Sequence, residues 1–287
     1  MPLDSIAEIL ASCSERNLAF WQVVLEADVE ERQVSAEASF EKMRATWRAM
    51  LDSAESYDGG LRSVSGLSGR DGELMRRYAA GGSALGGGYI SEVIATALCV
   101  GESNACMRKI VAAPTAGACG VLPAVLVPLY RRGEREEDIL RALYTAAGIG
   151  AVINSRASIS GAAGGCQAEI GSASAMAAGA LAQLRGGGPE QTANALAMAL
   201  KNLMGLICDP VAGLVEVPCV KRNVIGAVNA VSCADMALAG ITSRIPADEV
   251  IDCMGIVGER LPREFRETAR GGLAATPPGR AAWKQLK

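Results

Sequence analysis

A chain that is half apolar yet only 4% aromatic has few ways to build an interior. The core has to come from Ala, Leu, Val, Ile and Met. Its 33 glycines let backbones approach where bulkier residues would hold them apart. Ala-rich segments of this kind favour closely packed helices, and strand signals are few. The expected fold is all-α, a mainly helical domain with long glycine-rich loops. No fixed-period repeat or low-complexity linker divides the sequence, so one domain over residues 1–287 is expected.

Residues 4–57 read as an N-terminal segment of two or three amphipathic helices. Ser5 with Glu8 makes a capping-box pattern ahead of Ile9 and Leu10. Phe40, Met43, Trp47 and Leu51 recur at helical steps and mark one buried face. A glycine-rich loop over 59–72 follows, with hydroxyls and free amides suited to a small anion. It lacks the Gly-Lys-Ser/Thr ending of a P-loop. Gly86-Gly87-Gly88 opens a helix expected near 89–100. The uncharged stretch 110–130 is about as long as a bilayer span. Pro114, Pro123 and Pro128 with Gly117 and Gly120 interrupt it, so it reads as a buried loop and a core helix. Further helices are expected near 137–154, 168–184, 190–205, 221–243, 247–260 and 262–270. Gly271-Gly272 caps the last, and 276–287 is expected as a flexible tail, exposed or docked on a neighbour.

A net charge of −3 with the signs intermixed excludes a nucleic-acid surface or an attraction to anionic membranes. Nine cysteines and no signal-peptide pattern point to a reducing, cytoplasmic setting. There thiols serve as metal ligands, catalytic groups or small core residues. The absence of histidine rules out His-based triads, His-ligated zinc and a His general base from this chain.

Cys13, Cys99, Cys106, Cys233 and Cys253 sit in helical patterns among apolar neighbours and read as core residues. Cys119 sits in a glycine turn. Three others occupy glycine- or proline-bent turns: Cys166 in Gly164-Gly165-Cys166-Gln167-Ala168-Glu169, Cys208 in Ile207-Cys208-Asp209-Pro210, and Cys219 in Val217-Pro218-Cys219-Val220. Thiolates suit iron–sulfur clusters, and a complete cluster site usually takes four of them. Three with no evident fourth would leave one iron open, as a Lewis-acid enzyme requires. On spacing alone, three further core cysteines are an equal reading.

The surrounding residues add a resemblance. Pro114-Thr115-Ala116-Gly117-Ala118-Cys119-Gly120, Gly165-Cys166-Gln167-Ala168-Glu169, and Cys208-Asp209-Pro210-Val211-Ala212-Gly213-Leu214-Val215-Glu216-Val217-Pro218-Cys219 with Arg222-Asn223 together resemble the iron–sulfur-dependent L-serine dehydratases. The likeness continues through Gly271-Gly272-Leu273-Ala274 and is strongest to the alpha chain of the two-chain form. It implies a [4Fe–4S] cluster on Cys166, Cys208 and Cys219. It also implies conversion of L-serine to pyruvate and ammonia without pyridoxal phosphate, with a separate beta chain as partner; a homo-oligomer stays open. Family members made as one chain end in a cysteine, whereas this sequence ends Trp283-Lys284-Gln285-Leu286-Lys287. Ser63, Ser65 and Gly66 in one loop, and Thr115 and Gly117 in another, are the candidates for holding the substrate carboxylate and amino group. The catalytic base is unassigned, with Lys221 and Glu169 near ligands in sequence only. Three other readings remain: a lyase acting on L-cysteine or L-threonine, a non-catalytic iron–sulfur protein with four ligands, and a structural zinc site recruiting Cys119.

Overall fold

The computed structural model describes residues 4–286, with no strand among the described residues. The helices run α1 (Ile6–Arg16), α2 (Phe20–Arg32), α3 (Ala36–Glu55), α4 (Asp71–Ala80), α5 (Gly87–Ala105), α6 (Val121–Arg131), α7 (Glu136–Arg156), α8 (Gly161–Gly164), α9 (Ser172–Leu184), α10 (Pro189–Asn202), α11 (Cys219–Leu238), α12 (Ala247–Arg260) and α13 (Pro277–Gln285). The all-α expectation holds. No helix is long and apolar enough to cross a membrane, and the proline-interrupted stretch forms the loop before α6 and α6 itself.

Small side chains decide the centre. α9 is buried from Ser172 to Ala182 without a break, and a helix apolar on every side has to be enclosed by others. α6, α7, α10 and α11 enclose it. Ser174 Oγ donates to the Gly226 carbonyl of α11 at 2.7 Å, which satisfies a hydroxyl that would be costly to bury alone. The N-terminal helices pack outside this layer. Trp47 is fully buried, with Phe40, Met43 and Leu51 of the same α3 face packed against the core, as their spacing predicts. Ser5 Oγ accepts from Glu8 N–H at 3.0 Å and so caps α1.

Three segments depart from the sequence reading. α4 gives little local signal: its N-cap is Arg70 in the left-handed region, with no side-chain cap. Its cap comes from another helix. Glu102 of α5 is buried and accepts the N–H of Asp71 at 2.8 Å and of Gly72 at 3.1 Å. Residues 262–270 are not the expected helix. Only a short 3-10 turn forms at Arg263–Phe265. The chain then pairs with Cys208, whose N–H donates to the Phe265 carbonyl at 2.8 Å and whose carbonyl accepts from Glu267 at 3.0 Å. Glu267 and Ala269 adopt positive φ of 61° and 53°, which a helix cannot contain. Gly271-Gly272 therefore cap no helix, and Gly272 opens another 3-10 turn, Gly272–Ala275.

The expected tail is largely helical. α13 is capped by Thr276, packs against the Val211–Gly213 turn and keeps most of its outer face exposed. Lys287 lies outside the described residues.

Close approach of α11 to α6 and to the residues just before α9 yields the first expected outcome. A Cβ on Gly226 would stand 2.9 Å from Ile170 Cγ2 and 3.1 Å from Val121 Cγ2. Gly226→Ala should lower stability by about 1–3 kcal/mol, the usual scale of overpacking, read from the denaturant midpoint. An unchanged midpoint would show that this contact has slack.

Candidate metal centre

Three separate segments deliver the cysteines. Cys166 precedes a π-helical turn, Gln167–Gly171, that leads into α9. Gly165 just before it has φ 76°, and a Cβ there would lie 2.7 Å from Leu261 Cδ1 and 3.0 Å from the Leu206 carbonyl, so glycine is required. Gln167 is fully buried and ties this turn to the approach of Cys208. Its N–H donates to Leu206 O at 2.9 Å and its Oε1 accepts from Gly205 N–H at 2.7 Å. Cys208 lies in the connection between α10 and α11, pinned by the 263–267 segment. Cys219 is the first residue of α11.

All three thiols are buried and line one small cavity, together with Gly117, Glu169 and Glu267. Cys166 Sγ, a Glu169 carboxylate oxygen and Cys208 Sγ lie within 4.8 Å of one another. These residues form a candidate metal-binding group. Its tightest part has Glu169 where the sequence argument had a third cysteine, with Cys219 in the same wall.

Two neighbours on α11 fix the arrangement. Arg222 donates to Cys166 Sγ at 3.3 Å and to the Ile207 carbonyl at 2.8 Å through Nη1, and to Asp209 Oδ1 at 2.8 Å through Nη2. Asn223 Nδ2 donates to the carbonyls of Gly117 at 2.8 Å and Cys219 at 3.0 Å, and its Oδ1 accepts from Gly120 N–H at 2.8 Å.

The thiols differ electrically. Cys166 is held below the usual thiol range, first by the hydrogen bond it receives from Cys208 and then by the Arg222 guanidinium. Cys208 keeps the shared proton and is raised, first by that bond and then by burial. Burial pushes Cys219 up to about 12. It does the same to Cys99 and Cys119, and it takes Cys233 to about 11. Burial also raises the Glu169 carboxyl, with Glu267 adding to the rise.

The donor set fits a thiophilic metal group. Three soft sulfurs converge with one carboxylate. A side chain at Gly161 would come within 2.6 Å of Glu169 Oε2 and 3.1 Å of Cys208 Sγ, so glycine keeps that approach clear. Thr115 Oγ1 is close enough to Glu169 to oppose its rise, yet is buried without a hydrogen bond of good geometry.

The remaining expected site residues fall into two groups. Gly117 lines the cavity, with Thr115 beside Glu169. Ser63, Ser65 and Gly66 are not in its wall. Ser63 Oγ and Ser65 Oγ donate to Glu216 Oε2 at 2.6 and 2.7 Å, which ties their loop to the Cys208–Cys219 connection. Lys221 points away and pairs with Asp71 at 2.8 Å, its side chain 69% exposed. Sequence reasoning missed Glu267, because it was placed inside a helix that does not form.

A family model described as "Serine dehydratase alpha chain" matches residues 15–274. The chain belongs to that family. It is 46% identical over 98% of its length to a Bacillus subtilis protein named "Probable L-serine dehydratase, alpha chain", covering 94% of that protein. It is 40% identical to the "L-serine dehydratase, alpha chain" of Peptoniphilus asaccharolyticus, with 96% of both chains covered. Against "L-serine dehydratase 1" of Escherichia coli it is 38% identical over 95% of this chain and 62% of that one.

In this member of the family, the Glu216 carboxylate holds the 63–68 loop from a buried position. Removing one partner of buried hydrogen bonds costs about 1–3 kcal/mol. Glu216→Ala should therefore speed amide exchange over residues 63–68 by about tenfold or more in mass-spectrometric hydrogen exchange. Unaltered protection there would show that the loop holds itself.

Proposed function

We propose that this chain is the alpha chain of an L-serine dehydratase, an L-serine ammonia-lyase that forms pyruvate and ammonia without pyridoxal phosphate. We assign a [4Fe–4S] cluster to Cys166, Cys208 and Cys219. The observation that carries this reading is the meeting of Cys166 with Cys208 and Cys219, from the two ends of the connection into α11, in one buried cavity, in a chain of this family.

Such a cluster, when bound by three thiolates, would supply an iron with an open position, Lewis-acidic toward the serine hydroxyl. The chain's own groups do the rest. The Glu169 and Glu267 carboxylates put negative charge in the cavity wall, complementary to the substrate ammonium. The 115–117 turn, with a free hydroxyl at Thr115, offers donors for the substrate carboxylate. The 63–68 loop is tied through Glu216 to the connection that carries Cys208 and Cys219. With no histidine in the chain, the α-proton goes to one of the wall carboxylates or to a group from a second polypeptide. Loss of the hydroxyl and of that proton leaves aminoacrylate, which tautomerises and hydrolyses to pyruvate and ammonia.

That second polypeptide is a beta chain. Two relatives carry the name alpha chain, and the E. coli protein has further sequence outside the 62% matched here. The reducing chemistry suits the cytoplasm.

The test is anaerobic reconstitution with iron and sulfide, followed by metal analysis and pyruvate assay with L-serine, L-threonine and L-cysteine. Serine should be turned over by the loaded protein. Single Cys→Ser changes at Cys166, Cys208 or Cys219 should remove cluster absorbance and activity together, whereas Cys233→Ser and Cys253→Ser keep both. A Cys208→Ser protein that retains its cluster would exclude the assignment. Full activity in a chelated, iron-free sample would exclude the chemistry.

Adding the beta chain should raise turnover about tenfold or more, and by about 10²–10⁴-fold if it supplies the acid–base group. Full-rate turnover by the loaded alpha chain alone would place the base within this chain.

A further inference from the structure

Arg222 is the one buried cation among the described residues, 9% exposed. A guanidinium taken out of water is tolerated when its donors meet matched charge. Asp209 supplies that match at 2.8 Å. Asp209 is itself positioned from behind, because its Oδ2 accepts from Leu273 N–H at 2.7 Å. Charge balance is therefore complete before any sulfur is considered. Even so, Nη1 is directed at Cys166 Sγ at 3.3 Å while also held by the Ile207 carbonyl at 2.8 Å. The guanidinium makes no such bond to Cys208 or Cys219 among the described residues. Fixed on three sides, it cannot swing away from Cys166.

An ionised donor on a ligand sulfur withdraws electron density from it and weakens its donation to the metal. Hydrogen bonds to cluster sulfurs are among the controls on reduction potential, and outer partners of ligands orient them as well. A positive charge in a site shielded from water also favours the state with one more electron.

We propose that Arg222 is a positioning residue for the metal group: it orients Cys166 Sγ by a charge-assisted N–H···S bond and raises the reduction potential of the cluster bound there. This rests on the cluster reading given above. The effect is asymmetric, since one of three ligand sulfurs carries the donor, and it makes the Cys166 corner of the cluster the most electron-poor. A lysine cannot reproduce it, because a compact ammonium lacks the planar fork that spans Asp209 and sulfur together.

The full chain is reconstituted anaerobically as wild type, Arg222→Lys and Arg222→Gln. Iron and sulfide are counted, and the midpoint potential of the loaded fraction is measured by spectroscopically monitored titration. Both variants should show a more negative midpoint than wild type, Gln further than Lys because it loses the charge. The same proteins loaded with Co(II) alone report on the bond without cluster assembly. Their sulfur-to-metal charge-transfer band should fall to lower energy in both variants, since the sulfur lone pairs lose the stabilising donor. A midpoint or a band that stays at the wild-type position in both variants overturns the proposal. Wild-type protein that takes up no iron and sulfide overturns the cluster reading instead, and that is visible before any variant is titrated.

Discussion

Two adjacent side chains on one helix hold the site together. Arg222 reaches the Cys166 turn, the Ile207 carbonyl and the Asp209 carboxylate, while Asn223 reaches Gly117, Gly120 and Cys219. They add to the Gln167 link between the turn before α9 and the α10–α11 connection, and Asn223 joins the loop before α6 to the start of α11. The convergence of these segments depends on α11 lying close to the Gln167–Gly171 turn and α6, an approach that Gly226 allows. The aliphatic, glycine-rich composition and the chemistry are thus one constraint. Close helix packing gives the loops a rigid base, and two polar residues on that base gather them.

The same logic separates the cysteines. Cys99, Cys119 and Cys233 are buried and driven upward by burial, as inert thiols are. Cys166 is equally buried but has a cation and a thiol donor beside it, and it is held in the opposite direction. Burial does not set the cavity cysteines apart from the others. Neighbours within hydrogen-bond reach single out the Cys166–Cys208 pair, whereas Cys219 is pushed up by burial to about 12 like Cys99 and Cys119.

What could be read from the sequence follows this division between local and distant causes. The Trp47 face of α3 and the apolar run of α9 are periodic or continuous in the chain, so their burial was legible. The bends around Cys166, Cys208 and Cys219 were visible in the glycines and prolines beside them, but that the three line one cavity was not. α4 escaped notice because its first amides are capped by Glu102, far along the chain on α5. Residues 262–270 have a polar, helix-compatible composition, yet the backbone partners offered by Cys208 take them into an irregular path. The hydroxyls of Ser63 and Ser65 were read as substrate donors, and no local pattern shows that they face Glu216. Glu169 was noted only as a neighbour in sequence, and it took the π-turn after Cys166 to bring its carboxylate to the sulfurs.

One long-range cap bears on how the molecule comes into being. The first amides of α1, at Ile6 and Ala7, are bound by the Asp248 carboxylate of α12 at 2.8 and 2.9 Å. Synthesis proceeds from the N-terminus at about 5–20 residues per second, so the partner leaves the ribosome many seconds after the helix it caps. An isolated helix as short as α1 is marginal in water. The opening helix of this chain is therefore born early and completed late, and the nascent protein spends most of its synthesis with those two amides waiting for α12 to arrive.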